Sequence, residues 1–440
     1  MCEFEVNFSD RMESDRIIGE GWAECVPFGR WMAGNRSTLA LPPPPRCCAW
    51  FDATIVVGPF WAPGRQPDQK LIISVGDTIL LEITLDNMAE LQFRIPGDLV
   101  QVDRMLDIAF DHPGAIDSEH GSGAEARALS ISTLSIIGVA GEILDELQFP
   151  PGTPAFIHVR SKGNLGNRMI QFMLALSVAQ RAVNCVMSGV ELDEWGLSTG
   201  THVHGWSDLL VDQEQHIDLF SVCQYLATHP GRKVVYRGYG QRMENFLPLD
   251  IYRSIFAPLN LEVPLFDQRY LVINVRGGDV VSGRFRDYVL IPTEFYRQII
   301  AKTGLTPVFM GQLGPNIYSD LLRSTFPAAL FLESQGQLWD FEVIRRAANI
   351  VTCVSTFSWM AAWLSNATRI FMPVNGMLNP LQYPKVDLLP IGDTRFVFYL
   401  FPTNHAVPPE DLPAAHAALD NRWCQVSHAM MSEIRMRANS

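Results

Sequence analysis

The chain has 440 residues, 48% of them hydrophobic, and a formal net charge of −13. That length allows two or three domains, and that apolar share supports large cores and excludes a disordered chain. The acidic balance argues against a general nucleic-acid binder but leaves room for a local basic pocket around a diphosphate.

No apolar run reaches membrane-spanning length, since Leu129–Ala140 is short and broken by serines, so no transmembrane segment is expected. The N-terminus has no basic region followed by an apolar one, so no signal peptide is expected. The eight cysteines include one adjacent pair, Cys47-Cys48, and no C-x-x-C spacing. This speaks against a zinc site and fits free thiols in a reducing cytoplasm.

Residues 1–140 read with a period of two. Candidate strands are Ser37–Leu41, Asp52–Val57, Leu71–Val75, Thr78–Leu85, Leu91–Ile95, Leu106–Phe110 and Leu129–Ile137. Turn signals separate them, among them Gly34-Asn35, Pro42–Pro45, Gly58-Pro59 and Pro96-Gly97. Many short strands with no long helix predict an all-β sandwich of jelly-roll type. Gly76-Asp77 is placed for a two-residue hairpin. Trp22, Trp31, Trp50 and Trp61 either fill this core or stack on sugar faces. The run from Gly19 to Trp31 resembles accessory sandwich domains attached to some bacterial glycosyltransferases. The Pro/Gly-rich segment Gly141–Pro154 marks a domain boundary.

Beyond it, strands alternate with helices. Ala155–Arg160 is a short strand, followed by the loop Ser161–Asn167 and a helix to about Val183 whose buried stripe is Met169, Phe172, Met173 and Leu176. Gly163 lets backbone N–H groups approach a ligand, or simply serves the turn. Cys185–Val190 is a strand. The polar region Asp193–Asp218 holds His202, His204 and His216 at spacings that fit no compact metal motif, and reads as a variable loop. Val234–Tyr236 is a strand leading into Arg237–Gln241. Tyr270–Val275 is a buried strand ending in Arg276-Gly277-Gly278-Asp279. Arg276 there either grips a phosphate or pairs with Asp279 in a surface turn; Asp279 orients it or acts as a base. Pro307–Met310 and Ala329–Leu332 are strands around a helix near Asn316–Arg323.

The densest stretch is Gln337–Met372: helix, strand Asn349–Val354, turn Ser355–Ser358, helix, strand. Hydroxyls where a strand meets a helix cap the helix, or seat a phosphate at its N-terminus. The alternation predicts two doubly wound halves, residues 155–266 and 267–402, facing one another across a cleft. Residues 403–440 read as a loop and one helix near Leu412–Met436.

Four segments in order resemble the α-1,2-fucosyltransferase family and related GDP-fucose-dependent enzymes. Gly163-Asn164-Leu165-Gly166-Asn167-Arg168-Met169-Ile170-Gln171-Phe172 is similar to the family's G-x-L-G-N-Q-M-F-Q-Y. Gly238-Tyr239-Gly240-Gln241 with Phe246 is similar to G-Y-x-Q-x-x-x-Y-F. Asn274-Val275-Arg276-Gly277-Gly278-Asp279 is similar to H-x-R-R-G-D. Asp340-Phe341 and Ser355–Leu364 are similar to D-F and S-S-F-S-W-W-A-A-W-L. The sandwich lies outside this resemblance.

The resemblance implies a two-Rossmann GT-B glycosyltransferase fold preceded by the all-β sandwich. It implies inverting transfer of fucose from GDP-fucose to a glycan hydroxyl, without cofactor or metal, in bacterial surface polysaccharide or glycoconjugate synthesis. The absence of a D-x-D pair agrees with metal independence. By motif position, Arg276 would hold the leaving diphosphate, helped by Ser355, Thr356, the Phe357 backbone and Ser358. Asp340 would lie near the guanine or cap its own helix. Gly163, Asn164 and Asn167 would line the cleft. Tyr239, Gln241 and His204 would face the acceptor, with Asp279 and His204 as candidate bases. Two positions depart from the motif: Asn274 stands for its histidine and Gly277 for its second arginine. Arg284 or Arg286 would then supply the missing cation. Other readings are a silent sugar-binding protein and a transferase using a different nucleotide sugar.

Overall fold

The computed structural model describes residues 2–44, 48–59, 69–101, 104–113, 127–139, 152–199, 209–211 and 215–439. The first part is an antiparallel sandwich of a six-stranded and a four-stranded sheet. The larger sheet runs Trp22–Val26, Gly29–Ala33, Arg127–Val139, Trp50–Pro59, Ala89–Pro96, with Cys2–Asn7 also paired to Arg127–Val139. The smaller runs Arg36–Leu41, Leu106–Asp111, Gln69–Val75, Thr78–Leu85. Gly76-Asp77 does make the hairpin, with Gly76 at a φ of 55° and Val75 opposite Thr78. Alternation explains the core: Phe4, Val6, Leu39, Leu41, Ile55, Val57, Ile73 and Ile108 point inward and are buried.

All seven expected strands are present, and three more lie before Ser37. Cys2–Asn7 was not legible because its outer face carries Glu3 and Glu5, whose partners lie far along the chain. Trp22, Trp31 and Trp50 are half-buried rather than core residues. Trp22 stacks on Phe8 with centroids 5.5 Å apart and donates its Nε1–H to the Thr38 carbonyl at 2.7 Å. Arg94 lies 4.6 Å over Trp50. Trp61 and most of the expected boundary Gly141–Pro154 lie outside the described residues.

The second part holds two sheets. The first is four parallel strands ordered Cys185–Ser188, Ala155–Val159, Lys233–Tyr236, Leu209–Val211. The last of these lies in a stretch expected to be loop; it is three residues long, too short to show a period. Helices Leu165–Arg181 and Leu219–Thr228 cover one face. The sandwich edge meets the other, where Arg237 pairs with Glu3 and Glu5, and Arg160 with Glu5. Burial raises the Glu3 pKa against the lowering pull of Arg237 and Arg160.

The second sheet is ordered Leu330–Leu332, Thr306–Gln312, Tyr270–Arg276, Asn349–Val351, Arg369–Val374, Phe396–Leu400, Cys424–Val426. The first six are parallel, and in chain order they run third, second, first, fourth, fifth, sixth. That is the order of a doubly wound nucleotide-binding sheet, and it reverses direction between Tyr270–Arg276 and Asn349–Val351.

The tail corrects the single-helix expectation. It forms two helices, Leu412–Leu419 and His428–Asn439, with an antiparallel strand between them. Asn421, at a φ of 59°, turns the chain out of the first helix. One apolar cluster runs through both α/β halves, and the sandwich has its own. No helix among the described residues is long and apolar enough to cross a membrane.

The tail's His416 is buried, with its ring edge-on to Tyr318 at 5.9 Å. Burial pulls its pKa from 6.5 down to about 4. The unfolded chain therefore takes up this proton first, and stability falls as pH drops from 6.5 through 4. The loss attributable to this group is about 3 kcal/mol. His416→Phe should remove that part of the slope, read as urea midpoints at neutral and acid pH. A variant with the same acid loss as the parent would contradict this.

Candidate functional site

In an open α/β sheet, ligands bind beyond the carboxyl ends of strands where the order reverses. Arg276 ends the strand at that reversal. Its Nη2 donates to Asp279 Oδ2 at 3.0 Å and its Nε to Oδ1 at 3.4 Å. The guanidinium lies 4.5 Å over the Tyr288 ring. Burial pushes the Arg276 pKa down, but Asp279 and Tyr288 outweigh it and the net direction is up. The arginine is thus held charged and aimed, and both Asp279 oxygens are used in holding it. Asp279 is an orienting residue here.

A hollow of about 380 Å³ opens in front of this arginine. Tyr239, Gln241 and Gln215 line it from the first half, and Arg276, Arg286, Asp287 and Tyr288 from the second. Three of the expected residues, Arg276, Tyr239 and Gln241, therefore share one space. Lys162 lies 4.5 Å over the Tyr239 ring. Gln241 accepts no freedom: its N–H donates to Gln215 Oε1 at 3.1 Å and its Nε2 to Asn167 Oδ1 at 3.0 Å.

The loops behind that wall are stitched by Gln171, which is fully buried. It accepts from the Lys162 N–H at 3.0 Å and donates to the carbonyls of Arg160, at 3.2 Å, and Gly238, at 2.8 Å. Gln171 stood in the recognised motif without a role. The signal available was its polarity on an otherwise apolar helix face.

The glycine at position 277 is explained by geometry. A side chain at Gly277 would meet the Gln312 carbonyl oxygen at 2.4 Å, so an arginine has no room there. Arg286 lines the hollow instead, and exposed Arg284 does not. Arg286 is held by His405, with Nη2 to Nε2 at 3.0 Å. Asp287 accepts from Gln382 Nε2 at 2.9 Å. Asn274 is buried and its Oδ1 accepts from the Cys353 thiol at 3.2 Å.

The polar groups of the Ser355–Ser358 turn are bonded within the fold. Ser355 caps the Thr356–Leu364 helix, accepting from the Phe357 N–H at 3.2 Å. Ser358 is fully buried and accepts from the Cys353 N–H at 3.2 Å. Thr356 donates to Asn167 Oδ1 at 2.9 Å, and the Phe357 ring packs on Phe341. None of the four lines the Arg276 hollow. Their polar groups are spent on the helix start and on the joint between halves.

Asn167 likewise bridges Gln241 and Thr356 rather than facing open space. Gly163, at a φ of 84°, and Asn164, whose side chain makes no cap bond, lead into the Leu165–Arg181 helix. Asp340 does not cap its helix, Gln337–Arg346, whose N-cap residue is Gly336. It is buried, its Oδ2 accepts from Ser334 Oγ at 2.7 Å, and burial raises its pKa despite that bond. Ser334 borders a separate hollow of about 620 Å³ at the carboxyl ends of Thr306–Gln312 and Leu330–Leu332. His204 lies outside the described residues. Among those residues no group of three or more His, Cys, Asp or Glu is placed to hold a metal ion.

The joint between halves depends on Gly166, where a Cβ would lie 2.5 Å from the Phe357 nitrogen. Gly166→Ala should lower stability by about 1–3 kcal/mol, because backbone and not a flexible side chain is in the way. An unchanged urea midpoint would show that the approach is not as close as described.

No protein-family description and no curated protein matches the chain. Solved structures do. It is similar to TibC, an iron-containing dodecameric glycosyltransferase from enterotoxigenic E. coli, at 11% identity over 96% of this chain and 98% of that one, with a TM-score of 0.30. It is similar to POFUT1, solved in complex with GDP, at 9% identity over 49% of this chain and 96% of that one, TM-score 0.27. The CBM36-1 domain of a xylanase from the hindgut metagenome of Trinervitermes trinervoides matches at 12% identity, 32% of this chain and 99% of that domain, TM-score 0.21. Similar structures thus include glycosyltransferases and carbohydrate-binding modules.

Proposed function

We propose that the chain is an inverting glycosyltransferase with a GT-B arrangement, moving fucose from GDP-fucose to a hydroxyl of a glycan. The observation that carries this reading is a hollow at the strand-order reversal, with Arg276 and Arg286 on one wall and Tyr239 and Gln241 on the other. The ordered resemblance to GDP-fucose-dependent enzymes supplies the donor. A role in surface-polysaccharide or glycoconjugate synthesis in the cytoplasm follows from that resemblance.

The chemistry needs what this hollow holds. The acceptor oxygen bonds the anomeric carbon from the face opposite GDP. The bond from that carbon to the diphosphate oxygen breaks, and GDP leaves with the electron pair. Arg276 and Arg286 stabilise the charge that develops on it. The acceptor proton passes to Asp287, the carboxylate on the same wall. The guanosine end lies toward Ser334 in the neighbouring hollow, with Asp340 bonded to that serine. No residue of this scheme requires a metal.

Titration with GDP and assay with labelled GDP-fucose over varied glycan acceptors test the reading. Arg276→Ala and Arg286→Ala should each weaken GDP binding and lower kcat by about a hundredfold or more. Asp287→Asn should keep GDP affinity and lower kcat by about a hundredfold to ten-thousandfold. Absence of GDP binding to the parent chain, or full activity in both arginine variants, would overturn it. GDP binding with neither transfer nor hydrolysis would favour a silent sugar-binding protein.

A further inference from the structure

A third hollow, of about 630 Å³, lies at the seam between the sandwich and the first α/β half. That volume falls in the roughly 300–1,000 Å³ range of small-molecule sites. The sandwich contributes the outer face of Cys2–Asn7, together with Arg16 and Ile17. The α/β half contributes Arg160, Ser161, Gly189 and Glu191, which follow the carboxyl ends of strands Ala155–Val159 and Cys185–Ser188. This is the end of a parallel sheet at which ligands bind.

Two features identify the ligand class. Four carboxylates in the lining are balanced by four cationic side chains. Much of that charge is neutralised inside the protein, as in Glu5–Arg160 and in Arg168–Glu194 at 2.5 Å. Such a wall offers many hydrogen-bond donors and acceptors and little net field. Ile17, Pro42 and Met105 add an apolar strip. Hydroxyl edges and C–H faces of sugar rings suit that combination, whereas a strongly charged ligand does not. Exposed Arg16 makes no hydrogen bond or ion pair with the described residues, so its donors remain for a ligand.

Position links this hollow to the first. Arg160 and Ser161 line the seam, and the next residue, Lys162, lies over Tyr239, which lines the Arg276 hollow. One loop separates the two spaces. We infer that the seam binds the distal sugars of a neutral acceptor oligosaccharide whose reactive end sits beside Arg276. The sandwich thereby supplies half of an acceptor site. This rests on the transferase reading above.

The test uses the full chain and calorimetric titration with neutral gluco-, manno- and galacto-oligosaccharides, each as mono-, tri- and hexasaccharide. Charged oligosaccharides and GDP are titrated alongside. Affinity should rise about tenfold or more from mono- to hexasaccharide in at least one series. Ala40→Trp fills the seam and should abolish the rise while GDP affinity stays unchanged. Should that variant also lose GDP binding through misfolding, Arg16→Ala at an exposed position decides, with a severalfold loss expected for the hexasaccharide alone. Affinity independent of length, a rise retained in the variants, or tighter binding of charged chains would overturn the inference and leave a solvent-filled seam only. A length-dependent rise without GDP binding would keep the seam site and remove the transferase reading; GDP binding without the rise would do the reverse.

Discussion

Two helix starts touching backbone to backbone hold the rest of the molecule in register. The Leu165–Arg181 helix of one half and the Thr356–Leu364 helix of the other meet at Gly166 and Phe357, where only a missing Cβ permits the approach. One oxygen of Asn167 accepts from both Thr356 and Gln241. Behind this point the packing is aromatic: Trp359 and Trp363 stack at 5.1 Å, and Phe246 and Tyr252 of the first half lean on them. Because the two halves share one apolar core, their relation is that of a built joint. Through Asn167 this joint also holds Gln241, which lines the hollow opposite Arg276.

Charge inside an acidic chain is managed by pairing before any ligand arrives. Arg276 is oriented by Asp279 and by the Tyr288 ring, and Arg286 by His405. A fixed guanidinium needs no reorganisation when negative charge appears in front of it, which is the condition for electrostatic stabilisation of a leaving group. The same device acts structurally at Glu342, wholly buried and bonded by Arg345 at 2.5 Å and Arg346 at 2.9 Å. That cluster also receives the Leu259 N–H at 3.1 Å, and so pins the segment connecting the halves.

Much of this was legible in the residues. Period-two runs located seven of the sandwich strands, and apolar runs bounded by Gly and Pro located most of the parallel ones but not Leu209–Val211 or Phe396–Leu400, because both signals come from one-sided or two-sided burial within a strand. Arg276, Tyr239 and Gln241, named by motif order, line one hollow. What could not be read is where a hydroxyl points. Ser355–Ser358 admits a helix cap or an anion seat from spacing alone, and the fold uses these groups for the cap, the core and the joint. Long-range partners were equally hidden: nothing near Glu3 announces Arg237, and nothing near Gly277 announces that Gln312 fills the space beside it. The tail's extra strand has no sequence signal because Cys424–Val426 has three residues and borrows its order from Phe396–Leu400.

The sandwich is part of the same logic. A parallel sheet needs cover on both faces, and helices ordinarily supply it. Here helices cover one face of the four-stranded sheet, and the Cys2–Asn7 edge strand stands against the other. Its sequence divides its labour by parity: Phe4 and Val6 belong to the sandwich core, while Glu3 and Glu5 reach across to Arg160 and Arg237. Those arginines stand at the carboxyl ends of the two strands, Ala155–Val159 and Lys233–Tyr236, whose following loops carry Lys162 and Tyr239. An exposed edge strand is ordinarily a liability that charge must blunt. In this chain the blunting charges are the contact itself, so the strand that closes the sandwich also steadies the loops that form one wall of the cleft.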